Sequence, residues 1–327
     1  MYKLSIVVPI YMVENYIERC AISLFQQTLS DVEFIFIDDR SPDKSVDVLK
    51  QVISNFTSLQ DSIRIVEHPN NRGSAAARIT GIKQARGEYI AFCDSDDWVD
   101  SNLYEQMYEV AKRNDADLVY CNFKMEYLSK TKVADLPKKQ NVDDYIRFMM
   151  MGAIPFYSWI RLYRKNILQE RVDELYQLGI NMWEDVLMNM RLSFCLKQIA
   201  FCPVAGYHYN QCNLNSYTFV RSEQSQRNIL EVVRLVSLVV EKWQIFMFPL
   251  SCFRLNALYS ISSHSSIEDL KKMNWPYSVE DNRCIWKHPI MSVDNKLFLT
   301  LLSFRLYKTA YIYMRIKRKI KNIILFK

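Results

Sequence analysis

Short apolar runs rich in Ile, Val and aromatic residues recur along the first third of the chain: Leu4 to Ile10, Val32 to Ile37, Ile63 to Val66, Tyr89 to Cys93 and Leu118 to Tyr120. Each has the length and composition of a buried strand. Between the first two, Ile17, Cys20, Ala21, Leu24 and Phe25 are spaced by three and four residues, which places them on one helical face. Ser45 to Phe56, Ser74 to Ala85 and Leu103 to Arg113 fill the other gaps with helix-compatible sequence. Near-continuous apolar strands that alternate with helices predict a parallel sheet covered on both faces, so residues 1–122 read as a Rossmann-like α/β half.

After Asn122 the rhythm breaks into a polar Lys/Asp stretch. Helices are predicted at Val142 to Met151 and Glu184 to Leu196, with a short strand near Ile199 to Cys202, and residues 123–220 are expected to complete the site and bind a second substrate. Residues 222–268 read as helical, while 269–296, with Trp275-Pro276, Trp286 and Pro289, read as irregular. The expected organisation is therefore a main domain over 1–220, a helical extension over 221–296 and a tail over 297–327.

Half of the 327 residues are hydrophobic and 24% are charged, values ordinary for a folded globular protein. A mean hydropathy of -0.13 is too polar for a multi-spanning transporter. Residues 1–10 lack the basic start and long apolar stretch of a signal peptide, which predicts that the protein stays where it is made. The eight cysteines include no Cys-x-x-Cys pair, so buried free thiols in a reducing cytoplasm are expected. The net charge of +6 is unevenly spread: residues 297–327 hold eight bases and no acid, which leaves the remainder at -2.

In open α/β sheets, ligands bind beyond the carboxyl ends of the strands. Here the first strand ends at Pro9-Ile10-Tyr11, the second at Asp38-Asp39, the third at His68 to Gly73 and the fourth at Asp94-Ser95-Asp96-Asp97. Adjacent carboxylates at two such ends repel unless a cation offsets them, and hard oxygen ligands favour Mg2+ or Mn2+ over zinc. Only six glycines occur, and they form neither Gly-x-Gly-x-x-Gly nor a Walker loop. A phosphorylated ligand would have to be met by a cation on the acidic turn and by side chains such as Arg72 and Arg78, which argues against a dinucleotide oxidoreductase or a P-loop kinase.

Several blocks, in order and spacing, carry a family likeness: Ser5 to Tyr11, Gln27-Thr28, Ile37 to Asp43, Asn71-Arg72-Gly73, Ala77-Arg78 and Gly87 to Trp98. Over roughly the first 215 residues the chain resembles the family 2 glycosyltransferases of bacterial cell-surface polysaccharide synthesis. That resemblance implies the GT-A fold, a mostly parallel central sheet flanked by helices, with a mainly helical C-terminal extension. It implies an inverting transfer from a nucleotide-sugar, a UDP-sugar first, to a glycan or lipid-linked acceptor. It places Tyr11 near the uracil, Asp39 on the base, and Pro9, Glu14, Arg72, Arg78, Asp94 and Ser95 around the donor. Asp94 and Asp96 would supply the metal motif, with Asp96 the direct ligand. Trp183-Glu184-Asp185 is similar to the family's acidic motif at a helix start, which makes Asp185 the catalytic base beside Glu184. Met12 and Ile79 stand where Asn is usual in the family, and neither removes a ligand or base.

Blander readings stand beside these. Asp38 and Asp39 suit a turn and Asp43 a helix cap, and for Asp97 and Asp100 the blander role is simply to complement a helix dipole. His208, between two tyrosines, is either a third metal ligand or a structural residue. Glu184 either binds an acceptor hydroxyl or caps a helix, and Trp183 lines the sugar site or packs in the core. The tail interleaves apolar and basic residues without a bilayer-spanning run, so it is expected to lie on an anionic membrane at the inner face of the cell membrane, or to be a core helix with solvated lysines. Nucleic-acid binding is not expected of so greasy a tail on a slightly acidic chain. Two other functions share the fold: a catalytically silent scaffold, and a sugar nucleotidyltransferase, which would want a Gly-rich loop that Pro9 to Asn15 lacks.

Overall fold

The computed structural model describes residues 1–213, 222–272 and 279–325 and divides into two compact units. The first comprises Met1–Tyr145 and Phe156–Arg221, the second Ile146–Pro155 and Ser222–Lys327. Trp275-Pro276 and the expected boundary at 220/221 lie outside the described residues.

The first unit runs β1 (Leu4–Ile10), α1 (Ile17–Phe25), β2 (Val32–Asp38), α2 (Ser45–Ser54), β3 (Ile63–Glu67), α3 (Ser74–Gln84), β4 (Tyr89–Phe92), β5 (Trp98–Val99), α4 (Leu103–Arg113), β6 (Leu118–Tyr127) and β7 (Lys130–Ala134). After α5 (Val142–Met150) come β8 (Arg161–Arg164), α6 (Lys165–Gln169), α7 (Val172–Leu175), α8 (Glu184–Ser193) and β9 (Ile199–Asn210). The sheet order is β3-β2-β1-β4-β8-β6-β9-β5, with β7 paired to β6. Four of the five strands predicted from the apolar runs form the parallel half, β3-β2-β1-β4, while the fifth, Leu118 to Tyr120, opens β6 in the mixed half. From β4 outward the sheet is mixed: β8 runs antiparallel to both β4 and β6, while β6 and β9 are parallel. Both faces of β1 and β2 are buried, which is why these strands read as unbroken apolar runs. One core holds Ile6, Val8, Phe34, Phe36, Leu24 and Leu49 beneath α1 and α2.

The second unit comprises α9 (Glu223–Val240), α10 (Met247–Ser262), α11 (Ile267–Lys272), α12 (Val279–Cys284), α13 (Val293–Ser303) and α14 (Tyr307–Leu325). Its core gathers Leu255 and Leu258 of α10, Leu270 of α11, Ile285, Met291, Phe298 and Leu302 of α13, and Ala310 and Met314 of α14. The tail's apolar stripe thus packs in part on its own unit, the core-helix alternative. Phe304, Leu306, Ile312 and Ile316 stay exposed among Arg305, Lys308, Arg315, Arg318 and Lys319. The side chains of Ile320, Lys321, Ile323 and Lys327 lie outside the described residues. Gln244–Ser262 is long and apolar enough to cross a membrane, yet 56% of that window is buried inside the protein. All eight cysteines are free thiols.

Candidate active site

The loops after β1 and β2 are built as one piece. Met12 N–H donates to Ser41 Oγ, Val13 N–H to Ser45 Oγ and Glu14 N–H to Asp43. Glu14, expected near the donor, returns a carboxylate oxygen to Lys44 N–H at 3.0 Å. Asp43 also accepts from Ser41 and Ser45 (both 2.6 Å), and although burial opposes its charge these hydroxyls hold its carboxyl below the usual range. Pro9 pairs with Ile37 in the parallel ladder, and Tyr11, beyond it, is 43% exposed. Met12 sits at φ 55°, a left-handed conformation that Asn tolerates and Met does not favour, so the family's usual residue has a conformational reason here.

Asp39 is a brace. Its carboxylate accepts from Arg72 N–H (2.9 Å), Gly73 N–H (2.7 Å) and the His68 ring (2.7 Å), and it is 3% exposed. A carboxylate offers about four acceptor positions, so one remains for a ligand N–H. The Arg72 side chain points to solvent. Gly73, at φ +85°, turns the chain into α3, and a Cβ there would fall 2.1 Å from Asn181 Oδ1. Only glycine lets that loop pack against the segment leading into α8.

The acidic turn follows β4. Asp94 accepts from Arg78 at 2.8 Å, and the other guanidinium nitrogen of Arg78 bonds Glu184. Glu184 also accepts from Ser74 Oγ at 2.7 Å. A single chain of charges, Asp94 to Arg78 to Glu184, therefore joins the acidic turn to the first turn of α8. Burial opposes the Arg78 charge, but Asp94 and Glu184 outweigh it and hold its pKa above the ordinary value. Asp185 is part-buried beside Glu184; desolvation first and the Glu184 charge second push its pKa up to about 7. Trp183, at φ 65° and half-buried, makes the sharp entry into α8, a strained conformation of the kind that persists at functional sites.

Asp96 accepts from Asn213 at 2.8 Å, and burial together with the Asp94 charge raises its pKa. Ser95 is buried. Asp97 is fully buried: Tyr207 donates to it at 2.8 Å and Asn210 N–H at 2.8 Å. The same Tyr207 hydroxyl accepts from Asp94 N–H, so Tyr207, Asn210 and Asn213 shape the turn from β9 and just beyond it. Arg19, also unforeseen, lies 3.4 Å over the Trp98 ring, and its field reaches Asp97 and Asp96.

The two ring nitrogens of His208 lie at hydrogen-bond distance from Glu126 (2.7 Å) and Asp100 (2.9 Å), and its ring stacks on Trp98 at 5.0 Å, contacts that suit the structural alternative rather than the metal ligand. Among the described residues no three His, Cys, Asp or Glu side chains are arranged to hold a metal ion between them. The donor set present is two carboxylates, Asp94 and Asp96, one of them with its charge disfavoured by burial. This fits Mg2+ or Mn2+, which take one or two carboxylates and complete their shell with substrate phosphates and water.

Residues 5–171 match the family Glycosyl transferase family 2, and the chain belongs to it. Bacillus subtilis EpsH is 32% identical over 211 residues, 63% of this chain and 60% of EpsH. EpsJ of the same organism, an uncharacterized glycosyltransferase, is 33% identical over 221 residues, 65% of this chain and 62% of EpsJ. The match thus spans 60% to 62% of the length of these curated relatives. S. aureus TarS in complex with UDP-GlcNAc superposes with a TM-score of 0.69 at 18% identity, over 97% of this chain and 92% of that one. At that identity the likeness concerns the fold, which is GT-A.

Proposed function

We propose that this chain is an inverting transferase that moves a sugar from a UDP-sugar to a glycan or lipid-linked acceptor in surface polysaccharide synthesis. The observation that carries the reading is the Asp94-Arg78-Glu184 chain, which ties the acidic turn to the first turn of α8, where Asp185 follows Glu184. In a single displacement the acceptor oxygen bonds to the anomeric carbon as that carbon's bond to the diphosphate oxygen breaks. The electron pair departs with the nucleotide, and the acceptor proton passes to Asp185, whose raised pKa makes it a competent base near neutrality. Mn2+ or Mg2+ on Asp94 and Asp96, when bound, would neutralise charge on the diphosphate. TarS, one of the fold neighbours, is seen in complex with UDP-GlcNAc, which supports a uridine donor as the first to test. Incubation with Mn2+ and a panel of UDP- and GDP-sugars is expected to release nucleotide from at least one donor; release from none would overturn the reading.

The lipid-linked acceptor calls for a membrane, and the exposed Leu306, Ile312 and Ile316 among five exposed bases suit the inner, anionic leaflet of the cell membrane. The full chain should co-sediment with vesicles containing phosphatidylglycerol and not with phosphatidylcholine alone. Serine at all three apolar positions should abolish that binding; equal sedimentation of both forms would remove the membrane role.

A further inference from the structure

One element of the first unit has no part in the scheme above: a column of stacked aromatic rings. Trp159, 4% exposed, lies between Tyr207, at 4.3 Å and 15° between planes, and Tyr157, at 4.8 Å and 12°. Tyr209 tilts against both, 5.1 Å from Trp159 and 5.7 Å from Tyr157. The column begins at Tyr207, whose hydroxyl holds Asp97 of the acidic turn, and ends at the half-buried Tyr157 and Tyr209.

That outer end is fixed beside the proposed base. The Asn189 amide donates to Phe156 O at 2.8 Å and to Asp185 O at 2.9 Å, which ties the Phe156–Ser158 segment to the first turn of α8. Arg161, fully buried, donates to the Tyr157 carbonyl and, at 2.6 Å, to the Tyr145 hydroxyl. The Tyr157 ring is thus clamped through its backbone, stacked on Trp159 and set edge-to-face with Phe123 at 6.0 Å. Its phenol is pushed up by burial first, then by the charges of Tyr209 and Asp185, which places all three groups in one neighbourhood.

We propose that Tyr157 and Tyr209 form the acceptor subsite, binding the C–H face of a pyranose ring by stacking so that one ring hydroxyl meets Asp185. The inference rests on the transferase reading. A rigid aromatic ring contributes contact area at little conformational cost, and an already ordered ring loses less entropy on binding. The flat C–H face of a saturated sugar ring is an apolar surface of the size of a tyrosine ring, which suits it to stacking there.

Saturation-transfer NMR on the full chain with methyl β-D-glucopyranoside, methyl β-D-galactopyranoside and methyl N-acetyl-β-D-glucosaminide tests this. Wild type should saturate the protons of one ring face of at least one glycoside. Tyr157→Ala should weaken that glycoside's binding by about 2- to 12-fold, while Tyr157→Phe keeps it. If Tyr157→Ala does not melt as a folded protein, Tyr209→Leu serves as the second variant, with the same loss expected. Undiminished saturation in the folded variant, or none from any glycoside in wild type, would overturn the subsite. Nucleotide release from the donor panel separates the two readings: release without glycoside binding removes the subsite alone, and no release removes both.

Discussion

Asp185→Asn is expected to lower the rate of sugar transfer by about 10²- to 10⁴-fold, the range for losing a positioned general base, with little change in donor affinity. Asparagine matches the shape of the carboxylate and can still accept from Val186 N–H, as Asp185 does at 2.8 Å. The pH profile gives a second readout. The base is the carboxylate, so activity should fall as pH drops through about 7, the value to which desolvation and Glu184 push Asp185. The variant's residual activity should lack that limb. Stability should respond in the opposite sense. A folded-state pKa above the unfolded value of 3.8 means that the folded protein binds the extra proton between those values. Wild type should therefore lose stability as pH rises from about 4 through about 7, and the asparagine variant should not. Thermal melts at pH 5 and pH 8 compare the two slopes directly.

Arg78→Met should destabilise the protein by about 3–5 kcal/mol, lowering the melting temperature by on the order of 10 °C. Arg78 is 7% exposed and pairs with two carboxylates, Asp94 and Glu184. Methionine fills similar space but leaves the Asp94 and Glu184 carboxylates without the cation they share. That missing counter-charge is the source of the deficit. Adding Glu184→Gln should recover part of it, since glutamine keeps the Ser74 contact without the charge; a double-mutant cycle measures the coupling. A melting temperature unchanged from wild type would mean that the Asp94-Arg78-Glu184 chain does not organise the site.

The legible part of this protein was its parallel half. Strands buried on both faces carry a strong apolar signal, and Asp39, Asp94 and Asp96 stand where such strands end. The mixed half was harder. β8, Arg161-Leu162-Tyr163-Arg164, has an arginine at each end, and the fully buried Arg161 has among its partners the Tyr145 hydroxyl and the Tyr157 carbonyl, neither marked in the local sequence. Tyr157 and Trp159 lie just before it, with no periodicity to mark them. Roles were less legible than positions. Arg78 was read as a donor ligand, and the structure adds that it ties two acids together. For Asp97 the sequence offers an acidic-turn residue or a helix-dipole residue, and it hides the partners Tyr207 and Asn210, 110 and 113 positions away along the chain. The tail's amphipathic spacing announces an apolar face but not what covers it, and the structure covers part of it with α10, α11 and α13.

Nucleotide release from the panel of UDP- and GDP-sugars, followed once with Mn2+ and once with EDTA, tests the central claim most directly. The account predicts release from at least one donor with Mn2+, little with EDTA, and loss of the Mn2+-dependent part in Asp96→Ala. Release that is the same with EDTA as with Mn2+, and the same in Asp96→Ala, would contradict it.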